Sequence, residues 1–188
     1  MIVWISGPTG AGKSSFAPLL STLGFSVVQE RLPEESFRAF TSNPIQNCAR
    51  LQEKIMRSRF EHWQELRDAP RIVFDRSIDE DVKIFCRMHR KLGFLDEREY
   101  RTLKDIAVKL QAQMPSPDLT IFICPDRRAL AERVTEATHP SLIVESLDLQ
   151  LSLYSDWLGT RPENIIRIDN SGCSLRTVEE LFSGSSLC

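Results

Sequence analysis

The stretch Gly7-Pro8-Thr9-Gly10-Ala11-Gly12-Lys13-Ser14 has the spacing G-x-x-x-x-G-K-S, with Ser15 behind it and the apolar run Ile2-Val3-Trp4-Ile5 in front. A buried strand running into such a sequence marks a phosphate-binding P-loop. The glycines let consecutive backbone N–H groups turn toward one anion, and a helix beginning near Lys13 aims its positive dipole end at the same point. Lys13 is expected to reach the β- and γ-phosphates of a nucleoside triphosphate, and Ser14 to offer its hydroxyl to Mg²⁺. The other residues must then say what receives the phosphate.

Ile72-Val73-Phe74-Asp75 is an apolar run ending in an acid, the Walker B pattern. At the carboxyl end of a strand in an open α/β sheet, Asp75 is a candidate for the Mg²⁺ shell, directly or through water. The run Arg76-Ser77-Ile78-Asp79-Glu80-Asp81 follows at once, so Asp75 also fits as a helix N-cap.

These residues need a frame. Short β-branched runs alternate with helical patterns, which predicts βαβ units around a parallel sheet. The expected strands are Ile2 to Ser6, Phe25 to Gln29, Arg71 to Phe74, Leu119 to Cys124 and Ile165 to Ile168. The expected helices run from Lys13 to about Leu23, Pro44 to about Arg67, Ile78 to Leu92, and Asp96 to about Met114. The expected fold is a three-layer α/β P-loop NTPase fold with a parallel five-stranded sheet and the P-loop strand at its centre. The acceptor should sit between the Pro44 helix and the carboxyl ends of the first three strands.

Composition narrows the classes. The chain has 188 residues, 41% hydrophobic and 27% charged, suiting one domain over 1–188 with a frayed tail at 183–188. A net charge of −2 gives no pull toward polynucleotides or anionic lipid. The five cysteines are odd in number and lack C-x-x-C spacing, so they read as reduced thiols in a cytoplasmic protein. The amino-terminal apolar run is too short to span a membrane.

Phe74-Asp75-Arg76-Ser77, then Asp81, and the phrase from Arg87 to Asp96 resemble the deoxynucleoside kinases, especially the bacterial deoxyadenosine and deoxyguanosine kinases. Gln29-Glu30, Leu51-Gln52 and Pro117-Asp118-Leu119-Thr120 carry the same likeness, which covers the chain from Met1 to about Leu158. The resemblance implies ATP-dependent, Mg²⁺-assisted phosphorylation of a nucleoside 5′-hydroxyl, in nucleotide salvage. It makes Glu30 the base for that hydroxyl, Arg76 its neighbour at the 5′ position, and Asp75 the magnesium acid. Gln52 and Asp81 would hold the nucleobase. Members of the family are commonly homodimers.

The match has gaps. The family closes an arginine-rich lid after the fourth strand, whereas Arg133 is followed by Val134-Thr135-Glu136-Ala137-Thr138-His139-Pro140 without an arginine. The lid is expected to be shortened, leaving Arg133 as the preferred charge donor ahead of Arg127 and Arg128; a salt bridge from Arg133 to Glu132 or Glu136 is the competing reading. Glu30, Gln52 and Asp81 also have bland readings: a solvated acid, a surface amide, and an ion pair to Lys83 or Arg87. Two other functions stand beside the nucleoside kinase: a thymidylate kinase-like monophosphate kinase using Arg31 or Arg38, and a nucleotide-binding protein with lost transfer activity. No N-K-x-D sequence is present, which disfavours a GTPase.

Overall fold

The computed structural model describes residues 1–29, 31–136, 144–160 and 164–171. Glu30, the segment 137–143 that includes most of the expected lid, and the tail at 183–188 lie outside the described residues.

Five strands, β1 (Ile2–Ser6), β2 (Ser26–Val28), β3 (Ile72–Asp75), β4 (Leu119–Ile123) and β5 (Asn164–Ile168), form one parallel sheet in the order β2-β3-β1-β4-β5. Side chains alternate across it, and both faces are covered, so the inner strands β1, β3 and β4 read as apolar runs. Val3, Ile5, Val73, Ile121 and Ile123 pack on one face with Phe16 and Leu20 of α1 (Lys13–Thr22). Trp4, Phe74 and Phe122 pack on the other with Tyr154 and Trp157 of a carboxyl-terminal helix. The register sets Ile5 beside Asp75, so β3 ends level with the start of the P-loop.

Past β2 come α2 (Glu34–Ser42) and α3 (Pro44–Leu66). Asn43 separates them: its side chain accepts from Gln46 N at 3.2 Å, and Pro44 takes the first helical turn, where its missing N–H costs nothing. After β3 the chain forms α4 (Ile78–Glu80), a π-helical segment Asp81–Cys86, and α5 (Arg87–Lys91). One continuous helix was expected there. The apolar spacing carries no mark of the i→i+5 ladder, which lodges one extra residue beside the site. Next is α6 (Glu97–Gln111), opened by a capping box in which Glu99 N donates to Asp96 at 2.7 Å and Asp96 N to Glu99 at 2.9 Å. Cys48, Met56 and Phe60 of α3 meet Leu103, Ala107 and Leu110 of α6 in a second core. Among the described residues the last elements are α7 (Arg127–Glu136), α8 (Leu147–Leu158) and β5. The sequence reading had given no range for α2, α7 or α8; α2 leaves Phe37 exposed.

His89 of α5 is buried between the rings of Phe40, at 5.3 Å, and Phe94, at 6.1 Å, and its Nδ1 makes no hydrogen bond. Burial alone lowers its pKa to about 4. Between about pH 6.5 and pH 4 the unfolded chain binds a proton that the folded chain refuses, so this contribution to stability falls as the pH falls and is complete above that window. The full span is worth about 3 kcal/mol. Urea unfolding at about pH 7 and about pH 4.5 should show a larger acid loss for the wild type than for His89→Phe; equal losses would mean that His89 is not held neutral.

Candidate active site

The P-loop turns where only glycine fits. Gly7 has φ 151°, and a Cβ there would stand 2.1 Å from the Ile123 carbonyl oxygen; at Gly12, with φ 89°, it would stand 2.6 Å from Asn170 Nδ2. Two elements far along the chain hold the loop: Thr9 N donates to Gln150 Oε1 at 2.8 Å, and Asn170 Nδ2 donates to Ala11 O at 3.0 Å. Gly12 offers no side-chain cap, so the first N–H groups of α1 face the loop and favour an anion. Lys13 is buried and donates to Gly7 O and Pro8 O, both at 2.8 Å.

Asp75 is half-buried at the end of β3, beside that loop. It does not cap α4, because Ser77 does, accepting from Glu80 N at 3.1 Å. Arg76 has φ 67°, the one positive φ outside glycine among the described residues. Its N–H donates to Ile5 O at 2.9 Å and its Nη1 to Gly7 O at 3.0 Å. Lys13 and Arg76 therefore meet on a single carbonyl. Glu80 and Tyr154, which sequence reasoning did not single out, contact the same guanidinium at 2.6 and 2.8 Å.

No group of three or more His, Cys, Asp or Glu that could hold a metal exists among the described residues. Magnesium does not require one: it is commonly held by one or two protein oxygens, phosphates and water. The hard-oxygen donors Ser14 and Asp75 fit that pattern.

Gln52 of α3 and Asp81 are both buried. Asp81 is gripped by Arg59, whose Nε donates to Oδ2 at 3.1 Å and whose Nη2 donates to Oδ1 at 3.3 Å; Arg59 Nη1 also donates to the Asp75 carbonyl. Arg59 is fully buried. Its signal in the sequence was a cation on the apolar stripe of α3, between Ile55 and Phe60. The partners first considered for Asp81 lie elsewhere: Lys83 is exposed, and Arg87 pairs with Asp156 at 3.4 Å. Gln52 Oε1 accepts a long contact from the Cys86 thiol at 3.7 Å, and burial, then the Asp81 carboxylate, pushes that thiol well above its ordinary pKa.

A family model for deoxynucleoside kinases matches residues 3–167. This chain belongs to the deoxynucleoside kinase family. It is 27% identical over 171 residues to a deoxyadenosine/deoxycytidine kinase of Bacillus subtilis (strain 168), a match covering 88% of this chain and 76% of that one. It is 32% identical over 133 residues to a deoxyadenosine kinase of Dictyostelium discoideum, covering 69% and 54%. Deoxyadenosine kinase from M. mycoides with bound dATP superposes with a TM-score of 0.77 at 21% identity, and with bound dCTP at 0.80 and 20%; each covers 97% of both chains and shares the fold.

In this kinase the expected lid donor Arg133 lies against the P-loop. Its Nη2 donates to Asn170 O at 2.6 Å, while its buried Nη1 has no hydrogen bond and would be 3.8 Å from a Cβ at Gly12. Arg127 and Arg128 are exposed and engaged elsewhere, with Asp148 at 2.7 Å and Glu132 at 2.9 Å. Glu30 lies outside the described residues; its neighbours Gln29 and Arg31 contact α3, through His62 at 2.9 Å and Ser58 at 2.7 Å.

Removing Arg59 strands a buried carboxylate. Arg59→Met should lower the unfolding free energy by about 3–5 kcal/mol, and Asp81→Asn in that background should recover part of the loss. Denaturant titration checks both; a single-variant loss below about 1 kcal/mol would sink the idea that the pair is held out of water.

Proposed function

We propose that the chain transfers the γ-phosphate of ATP to the 5′-hydroxyl of a deoxynucleoside whose base pairs an exocyclic amine with a ring nitrogen, as adenine and cytosine do. The observation that carries this reading is the shared carbonyl: Lys13 donates to Gly7 O at 2.8 Å and Arg76 to the same atom at 3.0 Å. A phosphate-binding lysine and an acceptor-side arginine are then within one residue's reach, which is what in-line transfer between bound groups needs.

In this reading the P-loop amides and Lys13 take the phosphates, Glu30 accepts the hydroxyl proton, and Arg76 orients the oxygen. Arg133 adds positive charge over the transferring group. Bound Mg²⁺, held by Ser14 and Asp75, supplies neutralisation of phosphate charge. The Gln52 amide can accept from an exocyclic amine while donating to the adjacent ring nitrogen. Asp81, gripped on both oxygens by Arg59, accepts a further N–H. The relatives named for deoxyadenosine and deoxycytidine lend support.

A phosphate acceptor would need spare guanidiniums. Arg31 is paired with Glu65 at 2.7 Å and Arg38 with Glu34 at 3.0 Å, which disfavours the monophosphate kinase. Arg133 beside the loop disfavours loss of transfer. The reading also takes the chain as one catalytic domain, working in the cytoplasm as a homodimer. The free thiols Cys48, Cys86 and Cys124, and the exposed Ile45 of α3 and Val108 of α6, support those points. No helix among the described residues is long and apolar enough to cross a membrane.

Three variants test the reading. Lys13→Ala should lose about 10²-fold or more in kcat with ATP and deoxyadenosine while unfolding as the wild type does. Glu30→Gln should lose turnover on nucleosides with little change in nucleoside affinity, because it keeps size but removes proton acceptance. A wild type that phosphorylates nucleoside monophosphates but not nucleosides would refute the assignment. Arg133→Ala should lower kcat by about 10²- to 10³-fold at nearly constant ATP affinity, as expected for charge stabilisation made mainly in the transition state.

A further inference from the structure

Glu80 and Tyr154 hold no role in the reaction as described so far, yet they enclose its central arginine. Glu80 is fully buried, and its two oxygens are treated unequally. Oε1 accepts from Arg76 Nη1 at 2.6 Å and from the Tyr154 hydroxyl, whereas Oε2 is buried with no hydrogen bond. A half-satisfied buried carboxylate stabilises a fold less than a well-packed apolar residue would. The arginine it holds is itself strained, with φ 67°, in the left-handed region. Two unfavourable features thus converge on one guanidinium, which also lies over the Phe85 ring at 4.5 Å.

Tyr154 comes from α8, and its hydroxyl lies 2.8 Å from both Gly7 O and Arg76 Nη1. Nη1 carries two protons and the phenol one. Those three protons serve five contacts among Arg76, Tyr154, Glu80 and Gly7, so several bonding patterns hold the group in one place. Burial, and then the Glu80 carboxylate, push the Tyr154 phenol well above its ordinary pKa, which keeps it a donor. Lys13 uses the same Gly7 oxygen. When a phosphate draws the ammonium away, Arg76 and Tyr154 still satisfy that carbonyl, and the loop keeps its shape.

We propose that Glu80 and Tyr154 are positioning residues for phosphoryl transfer, fixing the Arg76 guanidinium and the Gly7 carbonyl in the one arrangement that serves the acceptor hydroxyl. This rests on the reading of Arg76 as an acceptor-side group.

The test is steady-state kinetics of the full chain with ATP and deoxyadenosine. Glu80→Gln keeps the volume and removes the charge; Tyr154→Phe removes only the hydroxyl. Each should lower kcat by about 10- to 100-fold with the KM for ATP changed by less than about 2-fold, the pattern of a contact used in the transition state. In an Arg76→Lys background, Glu80→Gln should add less than about 2-fold, since its effect runs through the guanidinium. Unchanged kcat, or an equal loss in both backgrounds, overturns the proposal. If Glu80→Gln fails to fold, Tyr154→Phe decides by the same criteria. A wild type that phosphorylates no deoxynucleoside overturns the kinase reading and this proposal with it, whereas an active wild type matched by both variants overturns this proposal alone.

Discussion

At the end of β1 the backbone must turn sharply while lying against β4, and the Ile123 carbonyl oxygen leaves no room for a side chain at Gly7. The turn exposes the Gly7 carbonyl on the site side, where it collects donors from Lys13, Arg76 and Tyr154. A carbonyl has two lone pairs, so the three donors compete for it, and each has a second acceptor in Pro8 O or Glu80 Oε1. This single oxygen joins the P-loop, the segment after β3 and α8, three parts of the chain with no sequence proximity. Whatever moves one of the three is felt by the others through it.

A second joint lies one layer away. Arg59 spans from the Asp75 carbonyl to the Asp81 carboxylate, so the end of β3 and the first acid of the π-helical segment are tied by one buried side chain of α3. A planar guanidinium suits this task because its donors are fixed in direction; a lysine in its place would be a point charge on a flexible stem. The two arginines, Arg59 and Arg76, thereby meet at the carboxyl end of β3.

Much of this arrangement is visible in the sequence wherever the cause is local. The P-loop, the five strands, and the starts of α3 and α6 follow from glycine spacing, apolar runs and the caps at Asn43 and Asp96. What escaped depends on contacts between distant segments. Nothing near Gln150, Tyr154 or Asn170 marks them as supports of a loop some 140 residues or more earlier. Arg59 and Glu80 were hidden differently: Arg59 is a charge inside an apolar stripe and Glu80 the middle of three consecutive acids, each easily taken for a solvated position until its partner is known. The π turn was missed because the hydrophobic period on either side of it is undisturbed.

That undisturbed period has an evolutionary consequence. A π turn is an α-helix holding one residue beyond what its ladder needs. Deleting a residue elsewhere in the helix would rotate all that follows by about 100° and pull Met88 and His89 out of their packing. Deletion between Asp81 and Cys86 would instead restore an ordinary α ladder and leave both flanks facing as they do now. Only the side chains within the turn would be re-dealt, and among them are Asp81 beside Arg59, Phe85 beneath Arg76 and Cys86 against Gln52. This kinase therefore carries a seam where a change in length, rather than a substitution, can redraw the surroundings of Arg59, Arg76 and Gln52 without unpicking the fold.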